Sequence, residues 1–309
     1  MASSFVQLGT ELRQIIIPII MFFGILGNSL NIIVLTRPAL YKHACSRYLL
    51  VLGCTNLFSA SVVLIFRLLS DGYQLDLTRT SVVLCKTVSF FSQTSAISSS
   101  YMIVVTSFDR FCASSTSIRL RAYSNVTVSR WVILFVLTVI ELFHLNTLIL
   151  TDLRTTDTLY KQVFIVMQIF IYTVIAPALM AIFGALTIYN IKKTRVAPVV
   201  GARHRRTETQ LASMLILQVS TNILLAAPAG FASLITVMPN TFSTTVQFFL
   251  AWVILQLFLY ASFTTPIVMY IISASIYRKE LIRLFYKVFY PAGNAHANIL
   301  TNQVTPMHS

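Results

Sequence analysis

The sequence predicts an all-α membrane protein: a seven-transmembrane helix bundle with a short amphipathic eighth helix. Three observations carry that prediction. The chain of 309 residues is 56% apolar and only 10% charged, against roughly 25% charged in an ordinary soluble domain. Its mean hydropathy is +0.78. Windows of ~20 apolar residues, the length that crosses a bilayer core, occur seven times along it.

The first window, 14–36, follows a short N-terminal segment, 1–13. It is long, contains Gly27-Asn28 and is not followed by a small-residue cleavage pattern, so it reads as a span rather than a cleaved leader. The second and third windows are 48–70 and 84–109. In the third, Arg110 stands 25 residues after Cys85. On a helix that separation is ~37 Å, so the two residues lie at opposite faces of a bilayer. The fourth, fifth, sixth and seventh windows are 130–151, 162–190, 209–237 and 246–272. Short connections make 14–272 one compact transmembrane domain.

Beyond it, within 273–290, Tyr277, Leu281, Leu284, Phe285 and Val288 recur at helical spacing, with Arg278, Lys279, Arg283 and Lys287 opposite. That is the pattern of a basic amphipathic helix lying on a membrane surface. The segment 291–309 is polar, contains Pro and Gly, and is expected to be a disordered cytoplasmic tail. It has no cysteine to acylate.

A net charge of +14 in a soluble protein would point to nucleic acid. Here the charge is distributed by topology. With the N-terminus outside, the segments facing the cytoplasm hold 17 of the 23 basic residues, from Arg37 to Arg47, Arg110 to Arg130, Lys192 to Arg206 and Arg278 to Lys287. The positive-inside rule then gives an extracellular N-terminus and a cytoplasmic C-terminus, expected in the plasma membrane. The basic surface faces anionic lipid and cytosolic partners, and no nucleic acid is expected. The run Arg203–Arg206, in the polar stretch 191–208, serves topology and lipid contact or docks a cytosolic partner.

In order along the chain, several residues resemble the rhodopsin-like (class A) family of G-protein-coupled receptors. Gly27-Asn28 is similar to the family's first-span pair. The stretch Leu52–Leu57 resembles its LAxxD segment, with Asn56 where Asp is usual. Cys85 and Asp109-Arg110-Phe111 match the third-span cysteine and the DRY motif at the family's spacing. Pro177 and Pro228 match the fifth- and sixth-span prolines. Glu208 precedes Pro228 by 20 residues, where the family places an acidic partner for the DRY arginine. Pro266 and Tyr270 resemble the NPxxY region, and Tyr277–Leu281 the start of the family's surface helix. The resemblance covers about 14–290, and the Ser-rich third span resembles divergent invertebrate receptors of peptide or chemosensory type.

The departures are specific. Thr265-Pro266 replaces Asn-Pro, and Tyr270 is one residue late if Pro266 is the anchor. Ala226 stands four before Pro228, where the family has an aromatic toggle. Asn222 replaces another aromatic, and Ala185 a common Tyr. The family bridges the third-span cysteine to the second outer loop, but 151–162 has no cysteine. Cys112, 27 residues along the same helix, is ~40 Å from Cys85. Cys85 is therefore expected to be unpaired within the chain.

What the resemblance implies is a two-state switch. Arg110 pairs with Asp109 and reaches to Glu208; release lets the sixth helix move outward and frees Arg110 for the C-terminal helix of a Gα subunit. Pro266 and Tyr270 belong to the same coupling region. Asn28, Asn56, Ser99 and Thr265 form a candidate buried polar cluster, either a weakened sodium site or ordinary interhelical hydrogen bonding. An extracellular ligand, a peptide or small molecule, would enter between the third, fifth, sixth and seventh helices. Candidate lining residues are Ser92, Gln93, Ala96, Gln168, Tyr172 and Gln256. Ser92 stands where amine receptors carry Asp, so a monoamine is not expected, and the seventh span has no Lys for a retinal Schiff base. Glu141 and His144, one turn apart in the fourth span, are a buried pair or a proton relay.

No HExxH, GxSxG, P-loop or metal-spaced Cys/His set occurs, so no enzyme, cofactor or metal is expected. The sequon Asn125-Val126-Thr127 falls on an expected cytoplasmic loop, out of reach of glycosylation. The expected partners are a heterotrimeric G protein, membrane lipid and an extracellular ligand. The alternative is a multi-pass transporter or channel of similar hydropathy, which would want inverted repeats and charges along a path. Topology is directly testable. An epitope tag at the N-terminus should be labelled on intact cells, and one after Ser309 only after permeabilisation. Labelling of the Ser309 tag on intact cells would reverse the orientation.

Overall fold

The computed structural model describes residues 2–150, 159–194, 202–237, 245–273 and 275–289. Among these every regular element is helical. The first helix, α1, runs Ala2–Leu35. The second, α2, runs Ala44–Gly72 through π turns at Ser59–Val63 and Leu68–Gly72. Then come α3 (Val82–Ser114) and α4 (Val126–Leu150). The next, α5 (159–194), contains a π turn at Ile171–Ile175. It is followed by α6 (Ala202–Val237), α7 (Val246–Ser262), α8 (Thr265–Ser273) and α9 (Ser275–Phe289).

Five helices are long and apolar enough to cross a membrane: Ser4–Leu35, Ala44–Gly72, Val126–Leu148, Gln162–Lys193 and Ala212–Thr236. The pair α7 and α8, bent by 52° where they meet, makes a sixth if counted as one broken span. The surface has the polarity of lipid contact. Trp131, Phe135, Ile15 and Phe22 are all more than 60% exposed, which water would penalise heavily.

The expected third span, α3, is not among the apolar crossings. Ser95, Ser98, Ser99, Ser100, Thr106 and Ser107 lie along it, all buried. Its neighbours cover it: α3 packs against α2, α4, α5 and α6. A helix packed on several sides by other helices needs less apolar perimeter than one surrounded by lipid.

Boundaries moved at two places. The segment expected as an N-terminal tail, 1–13, is helical from Ala2. At 34 residues, α1 is ~51 Å long, well beyond a ~30 Å hydrocarbon core. Helix α6 likewise starts at Ala202, inside the expected polar stretch 191–208. Residues 195–201, the connection 151–158 and the expected tail 291–309 lie outside the described residues.

Local chemistry sets several starts. Ser81 Oγ accepts from Leu84 N at 3.4 Å and caps α3. Asn125, the sequon residue, accepts from Val128 N at 2.8 Å and caps α4. Thr245 Oγ1 accepts from Phe248 N at 3.3 Å and caps α7. Each satisfies one amide hydrogen that the helix cannot.

Two apolar centres lie along the bundle. One gathers Leu35, Leu49, Met102, Met214, Tyr270 and Tyr277. The other gathers Ile17, Leu64, Val253, Leu257 and Phe263. The end near the second holds Arg13, Gly72 and Gln256; the opposite end holds Arg110, Asn190 and α9. Close approach of α5 and α6 depends on Gly230. A Cβ there would stand 2.1 Å from Thr173 Oγ1 and 2.8 Å from Thr173 Cγ2. Gly230→Ala should therefore lower stability by about 1–3 kcal/mol, read as a fall in melting temperature in detergent. Adding Thr173→Ala removes those two atoms and should recover part of the loss. An unchanged melting temperature in Gly230→Ala would refute the contact.

Candidate functional site

Two of the expected switch residues, Asp109 and Arg110, meet at the end of α3. Asp109 and Arg110 sit in the last turns of α3, both at most 4% exposed. Arg110 Nε donates to Asp109 Oδ2 at 3.0 Å. Arg110 Nη2 donates to the same oxygen and to Ser124 Oγ. Ser124 Oγ in turn donates to Asp109 Oδ1 at 2.8 Å. Ser124 follows the short helix Ile118–Tyr123, so the connection between α3 and α4 is tied to the ion pair. Tyr48 of α2, 3% exposed, lies within electrostatic range of both charges. A buried pair of this kind stands only when its remaining donors and acceptors are satisfied. Ser124 meets one donor of Arg110 and one acceptor of Asp109, although nothing in the sequence singled it out. Glu208 falls near the start of α6, and its side chain lies outside the described residues.

Pro266 and Tyr270 lie on α8. Pro266 is the second residue of that helix, where a missing amide hydrogen costs least. The break before it frees backbone carbonyls, and nearby side chains take them. Asn28 Nδ2 donates to Phe263 O at 2.9 Å and to Gly24 O at 2.8 Å. Thr265 Oγ1 donates to Ser262 O at 2.9 Å, while Ala261 O keeps a backbone bond from Thr264 N at 2.9 Å and accepts from Thr264 Oγ1 at 2.8 Å as well. Tyr270 is 1% exposed, and its hydroxyl has no hydrogen-bond partner among the described residues. Its ring meets Tyr277 edge-on at 5.6 Å. The Tyr277 hydroxyl donates to Asn31 Oδ1 at 2.5 Å. Gln210 of α6 holds the start of α9, donating to Ser275 Oγ at 2.6 Å and accepting from Ile276 N at 3.3 Å.

The four residues expected to form one polar cluster fall into separate contacts. Ser99 Oγ donates to Asn56 Oδ1 at 2.6 Å, joining α3 to α2. Ser59 and Ser95 repeat that bridge at 3.1 Å. Asn28 turns to the break between α7 and α8, and Thr265 bonds its own chain. Of these bonds, Ser99 to Asn56 and Asn28 to Phe263 O run between helices. Glu141 and His144 do not meet: Glu141 is exposed, and His144 is buried with Nδ1 at 2.8 Å from Ile140 O. Cys85 and Cys112 are free thiols, Cys112 being buried.

Of the ligand candidates, Tyr172 borders the smaller of two cavities described among these helices and none borders the larger. Gln93 Oε1 accepts from Gln168 Nε2 at 2.6 Å and Thr147 Oγ1 at 3.1 Å, which joins α3, α4 and α5. Tyr172 lies beside Ser100. It borders, with Pro177 and Asn222, a space of about 10 Å³, room for little more than a water molecule. Ser92 is half-buried and its carbonyl accepts from Ser95 Oγ at 3.2 Å. Ala96 packs against the apolar centre around Val253. Gln256 Oε1 accepts from Arg13 Nη2 at 3.2 Å.

The larger cavity, about 460 Å³, opens at the Arg13 end between α1, α7 and the chain between α2 and α3. Arg13, Asp71, Asp76, Arg79 and Phe249 line it. Asp76 accepts from Thr78 N at 3.1 Å, from Thr78 Oγ1 at 2.5 Å and from Arg79 Nε at 3.0 Å. Those bonds, the Thr78 hydroxyl foremost, hold its carboxyl below the usual carboxylate range. The signal in the sequence was three charges, Asp71, Asp76 and Arg79, within nine residues of a short connection. Among the described residues, no group of three or more His, Cys, Asp or Glu is placed to hold a metal ion.

No family model matches the chain, and no curated protein matches it. The Asn28 contact is separately testable. Asn28→Ala leaves Phe263 O without its side-chain donor. It should cost about 0.6–1.7 kcal/mol, the range of interhelical hydrogen bonds in membranes, read by thermal unfolding in bicelles. A variant as stable as the wild type would remove Asn28 from the break.

Proposed function

We propose that this chain is a receptor of seven transmembrane helices that couples an extracellular ligand to a heterotrimeric G protein, in the manner of the rhodopsin-like family it resembles. The observation that carries the reading is the buried Asp109–Arg110–Ser124 cluster at the end of α3. An arginine at most 4% exposed at the end of a central rod is costly unless it serves a second state. Its partners include the adjacent residue and a connecting segment, and exchange of such contacts is what a second state would need. In this reading α3 is the remaining crossing, kept polar because its neighbours enclose it. The break between α7 and α8 completes the bundle, and α9 is the surface helix. The excess of basic residues at the Arg110 end supports placing that end in the cytoplasm, with the protein in the plasma membrane. Arg278 Nη1 donates to Ile271 O at 2.7 Å and Ile272 O at 2.9 Å. It satisfies the last carbonyls of α8 and seats α9 across the end of the bundle. The transporter reading loses its best internal charge, because Glu141 is exposed on α4 rather than enclosed along a path.

Ligand binding would act on a two-state equilibrium between Arg110 held and Arg110 free. Glu208→Ala should raise basal nucleotide exchange on a responsive Gα by several-fold, within the 5–150-fold range of ordinary coupling energies. Replacing Arg110 alone would strand a buried carboxylate. The informative loss-of-function variant is therefore Asp109→Asn with Arg110→Gln, which removes both charges and keeps hydrogen-bonding groups. It should reach the surface and fail to stimulate exchange. Full exchange activity in that double variant would sink the proposal.

A further inference from the structure

We propose that the cavity at the Arg13 end is a binding site for a small zwitterion, a free α-amino acid or a molecule presenting the same ammonium and carboxylate. It rests on the receptor reading only in facing the outside of the cell. The lining charges balance, with two arginines and two aspartates. Asp76 and Arg79 are paired at 3.0 Å. The other two, Arg13 and Asp71, border the same space without an ion pair within 4 Å among the described residues.

Arg13 is the more telling of the two. It is only 9% exposed, yet its contacts are neutral: Gln256 Oε1 at 3.2 Å and the Phe249 ring, 5.7 Å from the guanidinium carbon. A guanidinium has five donors arranged to grip a carboxylate, and most remain for one. Asp71 has a single side-chain contact to its carboxylate, Ser70 Oγ at 3.4 Å. Arg67 acts on Asp71 and Asp76 electrostatically without closing a pair. An inorganic anion would engage Arg13 and be repelled by Asp71, and a simple cation would do the reverse. A zwitterion satisfies both, while Val6 and Phe249 give an apolar wall for a side chain.

The walls are built in advance. Gln14 Nε2 donates to Gly72 O at 2.7 Å and fixes α1 against the end of α2. Gln74 adopts a φ of 58°, rare for a residue with a side chain, and turns the chain between the two aspartates. About 460 Å³ lies within the range of small-molecule sites.

The test uses the full chain in lipid nanodiscs. Free α-amino acids are compared with their N-acetylated and C-amidated counterparts by titration calorimetry and thermal shift. At least one free amino acid should bind and raise the melting temperature, and both capped forms should do neither. Asp71→Asn, which is isosteric, and Arg13→Gln should each weaken binding by roughly 30-fold or more. Absence of binding by every free amino acid, equal binding of a capped form, or unaltered affinity in Asp71→Asn overturns the site. Nucleotide exchange keeps the two proposals separate. Amino-acid binding without exchange on any Gα supports the site and sinks the receptor. Exchange stimulated by another ligand, with no free amino acid bound, sinks the site and leaves the receptor standing.

Discussion

A backbone carbonyl in an apolar medium must find a donor, and the break between α7 and α8 exposes several. The solution at Phe263 organises one whole seam of the molecule. Asn28 reaches the freed oxygen from α1, which requires α1 to lie close. Gly27 permits that approach: a Cβ there would fall 2.8 Å from Ile267 Cγ2. With α1 held at Asn28, Arg13 meets Gln256 about four turns earlier and Asn31 meets Tyr277 about one turn later. The 52° bend aims α8 and brings Tyr270 against Tyr277. The Asn28–Phe263 contact thus lies on the seam that joins the Arg13 end to the Tyr277 end.

The centre of the bundle obeys the same constraint with different groups. Helix α3 packs against four neighbouring helices, and between helices in an apolar medium packing and hydrogen bonds contribute more than apolar burial. Its hydroxyls bond either the preceding turn, as Thr106 and Ser107 do, or a neighbouring helix, as Ser99 does with Asn56. Gln93 extends the network to α4 and α5 through Thr147 and Gln168. A rod fastened along its length can end in a buried ion pair, because Asp109 and Arg110 are held where Ser124 can complete them.

Those fastenings bear on where a ligand can sit. Polar side chains that already bond one another, as Gln93 and Gln168 do, have little left to offer a guest. Arg13 and Asp71 have charge in excess of their partners. The separation of the two ends also fits division of labour: a charge-balanced cavity at one, and an arginine with exchangeable partners at the other. The α1–α7 seam lies between them.

Much of the helical plan was legible in the chain, because a membrane helix must satisfy its own backbone and so writes its length into a run of residues. The windows 48–70, 130–151 and 246–272 lie on α2, α4 and the pair α7–α8 for that reason. The amphipathic pattern after Ser275 likewise marks α9. Asp109-Arg110 stood out because charge at a helix end is conspicuous. What the sequence by itself determined is therefore the local: helices, their approximate ends and the positions of charge. Only the tertiary structure decided partners. Ser124 completes the ion pair, Asn28 serves a carbonyl 235 residues away, Glu141 faces outward, and the cavity lies beside α1 and α7 rather than among the expected residues. Each depends on the rotation of a helix about its axis and on which helix lies beside it, and an apolar perimeter in lipid leaves both to side-chain packing.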